Sequence, residues 1–217
     1  MERGKCRLAV LLSGAGSTMV NLHERIRSGE VPAEISVVVS SRRKAAGLDR
    51  ARERGLKVRT LGRGPFSAGG EFDAEAYSKA LVEVIDPYAP DLVVMAGFMT
   101  RLAAPVLDRF PVMNVHPALL PLYGGEGLYG HHVHEAVLAA GVKVTGATVH
   151  FADDRYDHGP IVMQEAVPVE EGDDASSLAA RVQEAERRIY PEAIALFAEG
   201  RLGREGRRVR ILSKGEA

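Results

Sequence analysis

An asparagine and a histidine stand two positions apart in the stretch Asn114-Val115-His116-Pro117. Residues two apart on a strand point to the same face, so the amide of Asn114 and the imidazole of His116 would lie side by side. An amide can donate a hydrogen bond to a developing oxyanion, and an imidazole can move protons near neutral pH. Because Pro117 would end the strand here, the pair would face a crevice. The same spacing also fits two polar side chains with only structural hydrogen bonds.

A second pair of polar residues follows further along the chain. His150 ends an apolar segment, and Asp157 lies in a loop closed by His158-Gly159-Pro160. A carboxylate beside an imidazole fixes the tautomer of the ring and favours its charged form. Alone, Asp157 fits a turn residue and His150 a structural strand histidine. With Asn114 and His116, they supply the oxyanion donor, proton carrier and orienting carboxylate that acyl transfer needs.

No serine or cysteine lies in a nucleophile elbow such as G-x-S-x-G. The attacking group would therefore belong to a substrate. Three histidines, His131, His132 and His134, stand at the start of a predicted helix, but no carboxylate is placed as in the zinc motif H-E-x-x-H. We therefore predict no metal site. Glu186 lies between apolar positions of a long helical pattern, and its position alone indicates an exposed helix face.

A glycine turn, Ser13 to Ser17, follows the first apolar segment and precedes a helical pattern. Backbone N–H groups at such a turn and at the helix N-terminus attract phosphate, and glycine permits its close approach. The turn lacks the third glycine of a dinucleotide fingerprint, where Met19 stands, and the lysine of a P-loop. The pattern predicts either a site for a single phosphate or only a tight strand–helix connection.

The elements that would position these residues alternate between strands and helices up to residue 117. The patterns predict strands at 7–12, 35–39, 56–61, 91–97 and 112–115, and helices at 18–27, 44–54, 74–85 and 104–109. Such alternation predicts βαβ units, a parallel sheet, and ligands at the carboxyl ends of the strands.

After residue 117 the pattern changes. A glycine-rich loop at 120–130 precedes a helix at 132–139, strands at 145–151 and 161–169, a long helix at 177–198, and an edge strand at 207–212. No long helix separates the strands at 145–151 and 161–169, so at least one would be antiparallel to a neighbour. The predicted class is α/β, with a mostly parallel sheet, an antiparallel C-terminal portion and one domain over residues 1–217.

Composition narrows the class of protein. The 217 residues are 46% hydrophobic and 26% charged, as in globular proteins. A formal net charge of -1 and only 6% aromatic residues argue against nucleic acid as a partner. The first apolar run is too short for a signal or membrane segment, and the single Cys6 permits no internal disulfide. We therefore expect a cytoplasmic protein with no membrane partner.

Six motifs occur in an order that matches one known family. They are S-G-A-G-S at Ser13 to Ser17, A-G-F-M at Ala96 to Met99, N-V-H-P-A-L-L-P at Asn114 to Pro121, T-V-H-F at Thr148 to Phe151, D-H-G-P-I at Asp157 to Ile161, and R-I-Y-P at Arg188 to Pro191. Over nearly its whole length, the chain resembles the folate-dependent glycinamide ribonucleotide formyltransferases. N-x-H-P-x-L-L-P with a downstream D-x-G-P is specific to folate-dependent formyltransferases and hydrolases.

The resemblance implies a Rossmann-like three-layer formyltransferase fold. It implies a phosphate-binding half at about residues 1–110 and a folate-binding and catalytic half at about 111–217. The implied reaction transfers the formyl group of 10-formyltetrahydrofolate to the amine of N1-(5-phospho-D-ribosyl)glycinamide in de novo IMP biosynthesis. Transfer would be direct, through a tetrahedral intermediate, and would need no metal.

The resemblance also assigns roles to residues. Asn114, His116 and Asp157 match the catalytic residues, and His150 matches a supporting histidine. Glu186 matches a helix carboxylate that contacts the ribonucleotide, contrary to the exposed-face interpretation. The segment for the substrate phosphate comprises Gly16, Ser17, Thr18 and Met19. The folate-binding residues comprise Met99, Thr100, Arg101, Leu102, Asn114, Asp153, Asp154, Arg155, Tyr156 and Asp157.

Three positions depart from the family pattern. Ala74 and Thr100 stand where basic residues are common, and the segment 122–130 is longer and resembles a variant with G-G-x-G-x-Y-G. Arg63 is a candidate substitute for the arginine missing near Ala74.

Three other functions compete with the implied reaction. A formyltetrahydrofolate hydrolase would carry an N-terminal regulatory domain, and a methionyl-tRNA formyltransferase a C-terminal RNA-binding domain; we expect neither. A non-catalytic nucleotide-binding module would leave the grouping of Asn114, His116 and Asp157 unexplained. Monomer and homodimer both remain open.

Overall fold

The computed structural model describes residues 4–67 and 70–215. It divides into two compact units, residues 1–113 and 114–217. None of the helices in the described part of the chain has the length and apolar character that crossing a bilayer requires.

The N-terminal unit is built from strands that alternate with helices. Its strands are β1 (Cys6–Leu12), β2 (Ala33–Ser40), β3 (Val58–Thr60) and β4 (Leu92–Met95), in the order β3-β2-β1-β4. Its helices are α1 (Ser17–Arg27), α2 (Ala46–Glu53), α3 (Ala74–Ile85) and α4 (Ala104–Leu107). β1 pairs in parallel with β2 and β4, and β2 pairs in parallel with β3. The predicted βαβ units are confirmed, although β4 is shorter than the predicted strand at 91–97.

The position of β1 follows from its apolar sequence. Leu8 to Leu12 are completely buried, as are Val37 to Val39 in β2 and Leu92 to Val94 in β4. Strands buried on both faces have continuous apolar runs of this kind. Their packing fixes the carboxyl ends of β1 and β4, after which the predicted ligand-binding segments 16–19 and 99–102 follow.

In the C-terminal unit, the described residues form parallel and antiparallel strands and two helices. β5 (Val112–His116) spans the division between the units, and is followed by β6 (Val144–Phe151), β7 (Ile161–Pro168), β8 (Leu202–Glu205) and β9 (Arg208–Ile211), in the order β5-β6-β7-β9-β8. The helices are α5 (His131–Ala139) and α6 (Ala175–Ala198). β6 and β7 are antiparallel, which confirms the predicted antiparallel C-terminal portion.

The end of the chain differs from the sequence prediction. β8 was not predicted, because its sequence LGRE has little apolar pattern. The predicted edge strand at 207–212 is β9, which pairs with both β7 and β8, so that β8 forms the edge instead. α6 begins two residues earlier than predicted, because the Asp174 side chain accepts hydrogen bonds from the N–H groups of Ser176 and Ser177, both at 2.8 Å.

Gly146 in β6 has no room for a side chain, since an added Cβ atom would lie 2.0 Å from the Glu165 carbonyl oxygen. Because the backbone at Glu165 would have to shift, we expect Gly146→Ala to lower the free energy of unfolding by about 3 kcal/mol. Calorimetry should show the thermal midpoint fall by roughly 6–12 °C, at about 2–4 °C per kcal/mol. Gly203→Ala in β8 is the control, because its Cβ would meet only the Leu212 side chain, at 3.6 Å. Equal midpoints for the two variants would contradict the prediction.

Candidate active site

The side chains of Asn114 and His150 contact each other where β5 lies beside β6. Asn114 Nδ2 is 3.3 Å from His150 Nε2, and His150 Nδ1 is 3.0 Å from the carbonyl oxygen of Phe151. Since a carbonyl only accepts hydrogen bonds, Nδ1 carries the proton and Nε2 has a lone pair to accept from the Asn114 amide. The ring tautomer and amide orientation are assigned from these hydrogen bonds. The second N–H of Asn114 remains available to another acceptor.

The burial of His150 keeps this arrangement in place. The side chain is almost fully buried, and burial lowers the pKa of His150 because the charged ring would lose its hydration. The hydrogen bond to Phe151 and the charge of Asp157 oppose this effect without reversing it. The ring is therefore neutral near pH 7, and Nε2 stays an acceptor.

His116 lies between a carboxylate and a backbone carbonyl. Its Nδ1 atom is 3.5 Å from Asp157 Oδ2, and its Nε2 atom is 2.8 Å from the carbonyl oxygen of Tyr123. Asp157 also faces His150, with Oδ1 3.7 Å from Nε2. Because Nε2 donates to Tyr123, a ligand that contacts His116 through this atom must displace that carbonyl.

The glycine-rich loop at 122–130 supplies a second backbone contact to this group. The N–H of Gly125 donates to Asp157 Oδ2 at 3.0 Å. A side chain at Gly124 would displace its neighbours, since an added Cβ would lie 2.5 Å from the Leu120 side chain and 3.1 Å from Asp157 Cβ. Sequence reasoning missed the Tyr123 carbonyl and the Gly125 amide. The paired glycines are the signal that points to such a close approach.

A small cleft of about 150 Å³ opens beside Asp157. Pockets for whole small-molecule ligands usually measure about 300–1,000 Å³, so this cleft alone can hold only part of a larger ligand. Of the predicted folate-binding residues, Arg155, Tyr156 and Asp157 line it. Asp153 lies in the same loop, where its carboxylate accepts hydrogen bonds from the Arg155 N–H and His158 Nδ1, at 3.0 and 2.8 Å.

The glycine turn of the N-terminal unit leads directly into α1. Gly16 has φ of 75°, and a Cβ on it would lie 2.7 Å from Gly47 Cα, so only glycine fits. α1 begins at Ser17, and no side chain caps its N-terminus. The N–H groups of Ser17, Thr18 and Met19 therefore have no acceptor within the helix. They can hold an anion such as phosphate.

Ser13 connects this turn to the segment after β4. Its hydroxyl accepts a hydrogen bond from the Met99 N–H at 2.9 Å and shares another with the Ser41 hydroxyl at 2.7 Å. Side chains alternate along the segment: Met99 and Arg101 are exposed, whereas the residue that follows each of them is buried. A ligand can thus reach the backbone and the two exposed side chains.

Glu186 on α6 is half-buried, so the exposed-face interpretation is wrong. Burial raises the pKa of Glu186 to about 7, against the weaker opposing charge of Arg187.

The three histidines at the start of α5 differ in exposure: His131 and His132 are exposed, whereas His134 is buried. Within residues 4–67 and 70–215, no group of three or more histidine, cysteine or acidic side chains could hold a metal ion.

The structure thus groups Asn114, His116, His150 and Asp157 in the C-terminal unit. An amide donor, an imidazole and a carboxylate so arranged can stabilise an oxyanion and transfer a proton. The segments Gly16–Met19 and Met99–Leu102 belong to the N-terminal unit, and Glu186 belongs to the C-terminal unit.

Comparison with known proteins gives consistent matches. The formyl transferase family model matches residues 6–194. Trifunctional purine biosynthetic protein adenosine-3 of Bos taurus is 40% identical over 207 residues, which are 94% of this chain and 20% of that protein. Phosphoribosylglycinamide formyltransferase of Escherichia coli is 38% identical over 198 residues, 90% of this chain and 88% of that protein. The chain therefore spans about a fifth of the trifunctional relative and most of the bacterial one.

A solved structure agrees with these sequence matches. Glycinamide ribonucleotide transformylase 1 from Symbiobacterium toebii superimposes with a TM-score of 0.89 and 42% identity, over 98% of this chain and 96% of that chain. The fold class predicted from the sequence, mixed α/β with antiparallel C-terminal strands, is the class of this structure.

The raised pKa of Glu186 predicts a pH-dependent effect on stability. Between the ordinary value of 4.5 and about 7, Glu186 is protonated in the folded chain but ionised in the unfolded chain. Stability is therefore lost as pH rises through this window, because the unfolded state binds fewer protons. We expect Glu186→Gln to raise the thermal midpoint at pH 8 and to give a smaller gain at pH 5. Glu192→Gln, at an exposed position on α6, is the control. A gain of the same size at both pH values would contradict the assigned pKa shift.

Proposed function

Because the chain belongs to the formyl transferase family, and within it to the phosphoribosylglycinamide formyltransferases, we propose that it formylates N1-(5-phospho-D-ribosyl)glycinamide. The donor is 10-formyltetrahydrofolate, and the products are the N-formyl nucleotide and tetrahydrofolate, in de novo IMP biosynthesis. The observation that carries the proposal is the grouping of Asn114, His116 and Asp157 around the end of β5.

Asn114 stabilises the negative charge that develops on the formyl oxygen. One of its two N–H donors is held by His150 Nε2, and the other is free to point at the reacting oxygen. Since the amide is already oriented by the neutral ring of His150, little reorganisation is needed when the charge develops. The tetrahedral intermediate is thereby favoured over the planar starting state.

His116 and Asp157 handle the proton that the reaction must move. A bond forms between the glycinamide nitrogen and the formyl carbon, and the bond from that carbon to folate N10 breaks. One proton leaves the amine and one reaches N10. His116 carries this proton through Nε2, from which a substrate displaces the Tyr123 carbonyl. The Asp157 carboxylate, with Oδ2 3.5 Å from Nδ1, orients the ring and stabilises its positive charge. No group of the protein forms a covalent bond to the formyl carbon.

The substrates are held by segments with suitable donors and acceptors. The N–H groups of Ser17, Thr18 and Met19, with the turn at Gly16, bind the substrate phosphate, and the carboxyl group of Glu186 contacts the ribonucleotide. The tetrahydrofolate co-substrate contacts two segments and Asn114. These segments comprise Met99, Thr100, Arg101 and Leu102, and Asp153, Asp154, Arg155, Tyr156 and Asp157.

The setting of the reaction follows from the same proposal. The enzyme acts in the cytoplasm on small molecules, with neither nucleic acid nor a membrane as partner, and works without a metal ion as a monomer or homodimer. The near-zero net charge of -1 supports the absence of a polyanionic partner. A single formyltransferase domain over residues 1–217 combines a phosphate-binding half at about 1–110 with a folate-binding and catalytic half at about 111–217.

The roles of Asn114 and His116 predict large losses of turnover. Loss of one oxyanion donor usually costs about 10²–10³ in rate, and loss of an acid–base group about 10²–10⁴. We expect Asn114→Ala and His116→Ala each to lower kcat at least about 100-fold while the circular dichroism spectrum stays unchanged. The measurement is steady-state formation of tetrahydrofolate from both substrates.

A control comes from the same region of the chain. His132 is exposed at the start of α5, with Nδ1 3.2 Å from Glu135 Oε2, and has no role in the proposed mechanism. His132→Ala should retain wild-type turnover. Near-normal kcat in a folded Asn114→Ala or His116→Ala variant would show that the assigned roles are wrong.

A further inference from the structure

The loop that carries Asp157 adopts a backbone conformation that its surroundings must hold. Asp157 has φ of 51°, in the left-handed region that non-glycine residues rarely adopt. Such conformations persist only where neighbouring contacts impose them. The position of the Asp157 carboxylate against His116 therefore depends on whatever fixes residues 153–159.

Part of this restraint lies within the loop itself. His158 Nδ1 donates to Asp153 Oδ2 at 2.8 Å, and Arg155 Nη1 lies 3.4 Å from His158 Nε2. At the end of the loop, Gly159 packs so closely that an added Cβ would lie 1.8 Å from the Phe151 carbonyl oxygen. The ring of His158 thus binds Asp153 near the start of the loop, and His158 itself directly follows Asp157 in the chain.

A residue remote in sequence also contacts His158. Arg207 lies in the turn between β8 and β9, and its Nη2 atom donates to the His158 carbonyl oxygen at 2.6 Å. Its Nη1 atom is 3.0 Å from Nδ1 and 2.9 Å from Nε2 of the same ring. A single atom this close to both ring nitrogens must lie over the face of the imidazole. One nitrogen of the guanidinium therefore lies on the face of the ring, and the other donates to the carbonyl oxygen of the same residue.

The strand pairing explains how Arg207 reaches the loop. Arg208, the first residue of β9, pairs with Ile161, the first residue of β7, and the loop ends immediately before Ile161. Arg207 is therefore held beside residues 158–160 by the sheet itself. It also lies beyond residue 194, where the match to the formyl transferase family model ends.

We propose that Arg207 is a positioning residue for Asp157, acting through His158. Its two-point contact with the ring and the carbonyl of His158 holds the peptide that follows Asp157. This keeps the carboxylate 3.5 Å from His116 Nδ1 and within reach of the Gly125 N–H. The inference rests on the proposed function, in which the pair of His116 and Asp157 moves the proton.

The first test compares two arginines of the same hairpin. We expect Arg207→Ala to lower kcat at least about 10-fold, since small displacements of a catalytic group have large effects on rate. KM for the ribonucleotide should stay unchanged, because the contacts described for Arg207 are with His158 and not with the phosphate-binding turn at Gly16. Arg210→Ala is the control, because the Arg210 guanidinium lies 3.5 Å from Glu205 and so pairs within the hairpin. It should retain wild-type kcat and KM.

Rescue separates positioning from general stabilisation. Millimolar guanidinium ion should restore part of kcat in Arg207→Ala, because removal of the arginine side chain leaves a space of the size and shape of this ion. It should not restore kcat in His116→Ala, where an imidazole has been removed. Arg207→Lys keeps the charge but has a single nitrogen, which cannot contact the ring and the carbonyl oxygen of His158 as the two guanidinium nitrogens do, so its kcat should fall between wild type and Arg207→Ala. If Arg207→Ala folds poorly, kcat of the lysine variant, which preserves the charge, tests the inference instead.

The outcomes distinguish this inference from the proposed function. Wild-type protein without formyl transfer would overturn the proposed function and the inference with it. Active wild type with kcat of Arg207→Ala equal to that of Arg210→Ala would overturn the inference alone. A loss of kcat that guanidinium does not relieve and that Arg207→Lys shares in full would likewise contradict a positioning role.

Discussion

The rest of the site depends on one hydrogen bond, from the Asn114 amide to Nε2 of His150. It holds only while His150 is neutral, because a protonated Nε2 would be a donor and would turn the oxygen of Asn114 towards itself. Burial prevents this by lowering the pKa of His150, while the Phe151 carbonyl fixes the proton on Nδ1. The packing of β6 thus decides that the amide presents an N–H, and not an oxygen, to a reacting carbonyl.

The sequence predicted those parts of the molecule that depend on residue type and local periodicity. Buried runs such as Leu8–Leu12 and amphipathic patterns such as that of α6 identified the elements, since a strand or helix must bury an apolar face. Asn114, His116, His150 and Asp157 were singled out because an amide, an imidazole and a carboxylate at the ends of different strands supply the groups that acyl transfer needs. The structure places all four in contact.

What the sequence could not predict depends on backbone groups and on contacts between distant positions. The Tyr123 carbonyl on His116 and the Gly125 N–H on Asp157 come from groups that every residue carries, so residue identity gives no signal for them. Arg207 reaches His158 across 49 positions, through a hairpin whose first strand lacks an apolar pattern. The half-burial of Glu186 likewise arises from tertiary packing, which a helical pattern alone does not reveal.

The central claim is that this site transfers a formyl group between two bound substrates. The most direct measurement follows tetrahydrofolate absorbance on mixing the protein with 10-formyltetrahydrofolate, with and without N1-(5-phospho-D-ribosyl)glycinamide. Since the attacking nitrogen belongs to the ribonucleotide, tetrahydrofolate should form only when both substrates are present, in equal amount to the N-formyl product. Formation of tetrahydrofolate at the same rate without the ribonucleotide would contradict the claim, because water would then be the acceptor of the formyl group.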